Sequence, residues 1–230
     1  MNNPTVLITG ANRGIGLQFV HAFIAENWQV IACCRDPASA DNLTALKEAT
    51  SQLEIHALDV TDHAQMTLLS EHLGNRKIDI LLSNAGISGP DAVFGNIDAA
   101  AWREVIEVNT IAPLILAQSF VEQVAASQKK LMIMIGSKMG SIDDNGSGGA
   151  YFYRSSKAAL NQIVKSLSID LGDRGISVIV LHPGWVQTDM GGKNAETTVE
   201  ESVSGMMQIL PEAKDRNGQF IDLDGSEIPW

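Results

Sequence analysis

Apolar residues fall in short, unbroken runs at 5–9, 28–34, 53–58, 78–83, 131–136, 177–181 and 219–223. Each run is too short for an ordinary helix, and most carry β-branched residues, as strands covered on both faces do. Between them lie stretches of helical spacing at 14–27, 40–50, 62–73 and 99–126, and another that starts near Ala150. Strand and helix in alternation give parallel βαβ units. The expected fold is therefore α/β, a doubly wound parallel sheet. No linker, repeat or low-complexity stretch interrupts it, so residues 1–230 read as a single domain. Residues 191–201 are polar and weakly patterned. They read as a loop leading into a short helix, within a small substrate-loop region around 189–210, and as the most mobile part of the chain.

The 230 residues are 45% hydrophobic and 19% charged, enough for a large core. The net charge of −11 argues against nucleic acid and against anionic membrane surfaces. No apolar run nears the ~20 residues of a membrane span, so no membrane partner is expected. Residues 1–4 lack a signal-like core. Cys33 and Cys34 are neighbours in a strand run, where successive side chains point to opposite faces. They are not expected to bridge, which points to a reducing compartment and a cytoplasmic protein. No metal site is expected.

Thr9-Gly10-Ala11-Asn12-Arg13-Gly14-Ile15-Gly16 closes the first strand and opens the first helix. Glycines there allow a tight turn and let a pyrophosphate approach the backbone, while the helix N-terminus offers unpaired N–H groups. The spacing is Gly-x-x-x-Gly-x-Gly in the strand-turn-helix context that a Rossmann fold requires. An acidic residue just after the second strand would select NAD. Arg35 stands there instead, and Arg13 can approach the same region, so NADP (NADPH preferred over NADH) is expected. Asp36 could turn to solvent or pair with Arg35.

Tyr153 and Lys157 are four apart on a helix, and so share a face. A free phenol has a pKa of about 10. A neighbouring ammonium favours the phenolate, so the pair is a candidate general acid with its pKa pulled towards working pH.

Together these residues resemble the short-chain dehydrogenase/reductase family across the whole chain. The markers are 9–16, Asp59-Val60, Asn84-Ala85-Gly86, Asn109, Ser137, Tyr153 with Lys157, and Pro183-Gly184 with Thr188. The segment Cys34-Arg35-Asp36-Pro37, the glycine-rich loop before Tyr153, His182-Pro183-Gly184-Trp185-Val186 and the ending 224–230 resemble the sniffer-like carbonyl reductases and the C-factor subgroup.

The resemblance implies an NADPH-dependent enzyme that reduces a small-molecule carbonyl (aldehyde, ketone or quinone) to an alcohol. Tyr153 would give the proton, Ser137 would hold the substrate oxygen, and Lys157 would lower the Tyr153 pKa and hold the ribose. Asn109 would hold a water linking Lys157 to solvent. Asparagine is a poor interior helix former, so a kink or special contact is expected there. Cofactor contacts are implied for Gly10, Asn12, Arg13, Gly14, Ile15, Gly16, Arg35, Asp59, Val60, Asn84, Ala85, Gly86, Tyr153, Lys157, Pro183, Gly184, Val186 and Thr188. Asp59 could instead cap a helix near Thr61. His182 has no role in the family and reads as structural. The resemblance also implies a homo-oligomer, dimer or tetramer.

Tyr151 competes with Tyr153, but its partner four residues on is Ser155, which carries no charge. Ser83 stands where the family often has an asparagine. The interval from Ser137 to Tyr153 is longer than usual, and the extra length falls at 142–149. That loop is expected to shape specificity. Two other readings stay open: a nucleotide-binding signalling or regulatory protein on the same scaffold, and an NAD-linked dehydrogenase working oxidatively. Arg13 and Arg35 speak against the latter.

Overall fold

The computed structural model describes residues 3–230. Met1 and Asn2, part of the segment in which no signal was seen, lie outside the described residues. The strands are β1 (Thr5–Thr9), β2 (Gln29–Cys34), β3 (Leu53–Ala57), β4 (Ile80–Ser83), β5 (Leu131–Ile135), β6 (Ser177–His182) and β7 (Phe220–Asp222). They form one sheet in the order β3-β2-β1-β4-β5-β6-β7, every neighbouring pair parallel. This is the doubly wound Rossmann fold expected from the apolar runs.

Alternation along each strand divides the core in two. Val6 and Ile8 of β1, and Leu131, Ile133 and Ile135 of β5, face α1 (Gly14–Ala25), α2 (Asp41–Ala49) and α7 (Val199–Ile209). Leu7, Met132 and Met134 face the other way, towards α3 (His63–Leu73), α5 (Ala112–Ala125) and α6 (Tyr151–Asp170). Cys33 and Cys34 are buried in different layers and unbridged, as the period of two requires.

The chain order reverses between β1 and β4, whose helices leave on opposite faces. The carboxyl ends of these strands border the crevice where such folds take ligands. Asn84, just past β4, knits the two together: its Nδ2 donates to the carbonyls of Thr9 (2.9 Å) and Gly10 (3.0 Å), and its N–H donates to Thr9 Oγ1 at 3.1 Å.

The helical stretch 99–126 is not uniform. α4 (Ala99–Ile106) passes into a π-helical turn, Glu107–Ile111, before α5. Pro113 has no N–H to give the carbonyl four residues back, that of Asn109, and its ring crowds that carbonyl. The ladder widens, and the Ala112 N–H reaches Glu107 O instead. By length and composition the continuous helix Ala99–Ala125 could cross a membrane, which corrects the expectation that no apolar run nears that length. In this fold its Leu116, Phe120 and Val124 pack onto the sheet.

The stretch 191–201 is a loop leading into a helix, as expected: α7 starts at Val199, where Thr198 and Glu201 form a reciprocal capping box.

Gly16 has no room for a side chain: a Cβ there would strike the Gly10 carbonyl oxygen and the Asn84 amide. Gly16→Ala should therefore destabilise the fold by roughly 2 kcal/mol or more. Urea unfolding would read this as a lower midpoint, and an unchanged midpoint would mean that α1 can lift away from the loop freely.

Candidate active site

The turn between β1 and α1 is built to approach an anion closely. Gly10 sits at φ +64, in the left-handed region, and a Cβ on it would press on the Ala85 backbone. The first turn of α1 has no side-chain cap and no acidic residue. Its amides, from Gly14 through Ile15 and Gly16, remain as donors at the positive end of the helix dipole. Asn12 is half-buried in the same turn. Thr188, from the loop after β6, lies against Gly14, its Cγ2 3.3 Å from where a Cβ would be.

At the other half of the crevice, four predicted residues converge. Asn109, in the π-turn, is buried and fully used: Oδ1 accepts from Ile87 N–H at 2.9 Å, while Nδ2 donates to Ile87 O at 2.8 Å and Ser156 Oγ at 3.0 Å. The special contact expected of this asparagine is therefore a clasp between the chain after β4 and α6. Thr110 adds a bond to the Ser156 carbonyl at 2.9 Å. Lys157 is buried on α6, and its Nζ donates to Ile135 O at 2.8 Å, at the end of β5. Gly86 lies between Asn109 and Lys157, with Asn109 Oδ1 3.2 Å and Lys157 Nζ 3.7 Å from a would-be Cβ. Ser137 lies near enough to the Tyr153 phenol to favour its phenolate.

The electrostatics correct one expectation. Burial raises the Tyr153 pKa, and nearby Ser137 offsets this only in part. The Lys157 ammonium, 5.7 Å from the phenol ring centroid and aimed at Ile135 O, does not outweigh that burial. Burial instead lowers Lys157's own pKa from 10.5 to about 8. Tyr153 is thus a protonated phenol at neutral pH, the state an acid needs.

Around β2 and β3 the picture is mixed. Arg35 is exposed and forms no ion pair among the described residues. Asp36 neither pairs with it nor turns idle: its carboxylate accepts from Ala38 N–H at 3.0 Å and caps the turn Pro37–Ser39. Arg13 does not converge on Arg35. Its Nη1 lies 2.6 Å from Asp189 Oδ2, across the crevice in the loop after β6. Both side chains are largely exposed, so this pair is weak and easily exchanged. Asp59 accepts from the N–H and hydroxyl of Thr61 at 2.9 and 2.8 Å. Those bonds, and Arg35 nearby, hold its pKa below the ordinary carboxylate value against the opposing effect of burial. The helix cap is Asp62, not Asp59. Val60 and Ala85 line one small void beside Val108.

The segment after β6 is folded back on itself. Val186 bridges to Thr197, the Pro183 carbonyl accepts from Ser202 Oγ at 2.6 Å, and Gly184 sits at φ +84 where a Cβ would strike Leu223. The wall between Ser137 and Tyr153 is anchored by two residues with no predicted role. Arg154 donates to Met139 O (3.3 Å), Ser147 Oγ (2.8 Å) and Gly148 O (3.2 Å), and the Trp230 carbonyl accepts from the N–H groups of Ile142 (3.1 Å) and Asp143 (3.2 Å). Nothing in the spacing of the chain marks these partners, nor Ser156, because each contact is made only by the fold. A groove of about 620 Å³ between α1, α2 and α7 touches the glycine turn at Gly14 and contains none of the four convergent residues.

The family model for short chain dehydrogenase matches residues 4–199. The C-signal protein of Myxococcus xanthus is 39% identical over 154 residues, covering 66% of this chain and 93% of that one. Among solved structures, the carbonyl reductase Sniffer of D. melanogaster superposes with a TM-score of 0.95 at 31% identity, over the whole of both chains. NADPH-bound carbonyl reductase from chicken fatty liver gives 0.93 at 36% identity, again over both whole chains.

Burying the Lys157 ammonium is unfavourable: the fall of its pKa from 10.5 to about 8 corresponds to roughly 3 kcal/mol at neutral pH. Losing the bond to Ile135 O gives back about 1 kcal/mol of that. Lys157→Met should therefore raise thermal stability, with the melting temperature as the measurement. Because the folded pKa lies below the unfolded one, the stability gap between variant and parent should shrink as pH rises from 8 towards 10.5.

Proposed function

The chain belongs to the short chain dehydrogenase family of oxidoreductases, and we propose that it reduces the carbonyl of an aldehyde, ketone or quinone with NADPH, Tyr153 being the general acid. The observation that carries this reading is the buried Lys157 beside the Tyr153 ring, with Ser137 close to the phenol, at the carboxyl edge of the sheet. The glycine turn, the uncapped start of α1 and the unpaired Arg35 fit a dinucleotide phosphate, and bound NADPH would supply the hydride to the carbonyl carbon. Ser137 Oγ would hold the carbonyl oxygen. Tyr153 would pass its proton to that oxygen as the alcohol forms. The resulting phenolate, taken out of water, would be stabilised by the Lys157 ammonium. Lys157 could then return a proton, being mostly charged at pH 7 yet close to its own pKa of about 8. The carbonyl of Asn109, lacking an N–H from Pro113, would hold the water that connects this relay to solvent.

NADPH over NADH is supported by Arg35, exposed and unpaired just after β2, with Asp36 Oδ1 turned to the Ala38 N–H. Exposed Met139, Trp185 and Met190, in the loops next to Ser137 and after Pro183, favour an apolar carbonyl compound. The reading includes a reducing, cytoplasmic setting, supported by the two unbridged cysteines, and a homo-oligomer, supported by partly exposed Trp102, Ile111 and Leu114 along α4 and α5. The relative named C-signal keeps a second reading in view, a nucleotide-binding signalling protein in which binding matters and turnover does not.

Tyr153→Phe should bind NADPH normally and lose about 10²–10⁴ in kcat. Turnover near that of the parent would remove the acid assignment, and a parent that binds NADPH but turns over no carbonyl would favour the second reading. Arg35→Asp should lower the NADPH-to-NADH ratio of kcat/KM by about tenfold or more, since a guanidinium–phosphate contact becomes a repulsion. An unchanged ratio would make Arg35 a surface residue only.

A further inference from the structure

We propose that His182 is a positioning residue for Ser137, acting in its neutral form through the backbone of the turn that carries the serine. This rests on the reductase reading above. Ser137 precedes a short 3-10 turn, Lys138–Gly140, and its Oγ accepts from the Met139 N–H at 3.2 Å. The Gly140 N–H closes the turn on Ser137 O at 2.7 Å. The first amide of such a turn, that of Lys138, has no acceptor within it. His182 supplies one. It ends β6, next to β5, and its Nδ1 accepts the Lys138 N–H at 3.2 Å. The ring proton then sits on Nε2.

Protonation at Nδ1 would set an N–H against an N–H and release the turn. The groups facing the imidazole are Asp222 of β7, opposite it in register, Lys138 of the turn, and Asp144 of the following loop, whose Oδ1 is 3.9 Å from Lys138 Nζ. The two carboxylates favour the imidazolium. Burial, the largest effect, and Lys138 oppose it and leave His182 below the ordinary histidine pKa. The bond is therefore present at neutral pH and lost as the medium becomes acid. Because the unfolded chain binds the proton more readily, the fold loses stability over the same acid range. Asparagine can place Oδ1 where Nδ1 stands and cannot titrate. Phenylalanine keeps the ring and removes the acceptor.

Nitrogen NMR of the full chain tests the contact without any turnover. The Lys138 amide should shift with the same midpoint as the His182 ring, and His182→Asn should abolish that titration. A Lys138 amide that ignores His182 overturns the proposal. With NADPH and para-nitrobenzaldehyde as the probe, His182→Phe should lower kcat about tenfold with KM for NADPH little changed. His182→Asn should restore kcat and remove the acid limb of its pH profile. Parent-like kcat in His182→Phe, or an Asn variant as impaired as Phe, also overturns it. Should His182→Phe fail to fold, the pH profile of His182→Asn decides. A parent inactive on the probe counts against the reductase reading, while the amide titration still decides whether His182 holds the turn.

Discussion

An ammonium buried with one backbone acceptor sets the terms for everything around it. Lys157 enters the space between α6 and the end of β5 and reaches Ile135 O. Its path requires the absence of side chains nearby. A Cβ on Gly140 would lie 2.8 Å from Lys157 Cβ, and one on Gly86 would crowd Asn109 Oδ1 at 3.2 Å and meet Lys157 Nζ at 3.7 Å. The network of Asn109, Ile87 and Ser156 closes the same space from the other side. A charge in such a place destabilises the fold unless it is needed. On the proposed reading its use would be to stabilise a phenolate that is equally costly in the same dry surroundings. Two unfavourable charges of opposite sign, generated together, are cheaper than either alone. The raised pKa of Tyr153 and the lowered pKa of Lys157 are therefore two results of one burial, not a conflict.

The cofactor half of the crevice follows a different logic. The chain is strongly acidic, with a net charge of −11, yet its candidate phosphate site relies little on net charge. Backbone amides at the start of α1 supply fixed dipoles, and their reach depends on Gly10 and Gly16 lacking side chains. Arg13, engaged with Asp189, contributes an exposed ion pair of small worth, so that guanidinium can exchange partners at little penalty. Asp36 and Asp59 each turn one carboxylate oxygen onto a local N–H group, at Ala38 and Thr61.

Much of this was legible in the chain. Seven apolar runs became seven strands, because residues buried on both faces leave an unbroken apolar signature. The glycine turn, Tyr153 and Lys157 were legible because spacing on one element carries their geometry. What was not legible depends on partners remote in sequence. The pKa of Tyr153 is set by burial that no spacing reveals, so the expected lowering by Lys157 came out as a rise. Arg13 was placed beside Arg35 on grounds of proximity along the fold, and Asp189, from the far end of the sheet, took it.

The loop before Tyr153 shows why such remote partners matter. It is rich in glycine, and such a loop beside Ser137 would ordinarily be loose. Here the first residues of that loop, where Ser137 must stay in place, are fixed by His182 at Lys138 and by Arg154 at Met139. The middle is fixed by Trp230 at Ile142 and Asp143. The outer part is held by Arg154 at Ser147 and Gly148, while Gly146, Gly148 and Gly149 have no neighbour within 4 Å of a would-be side chain. The contacts that place Ser137 thus come from β6, from α6 and from the C-terminal tryptophan, each remote in sequence from the loop's middle.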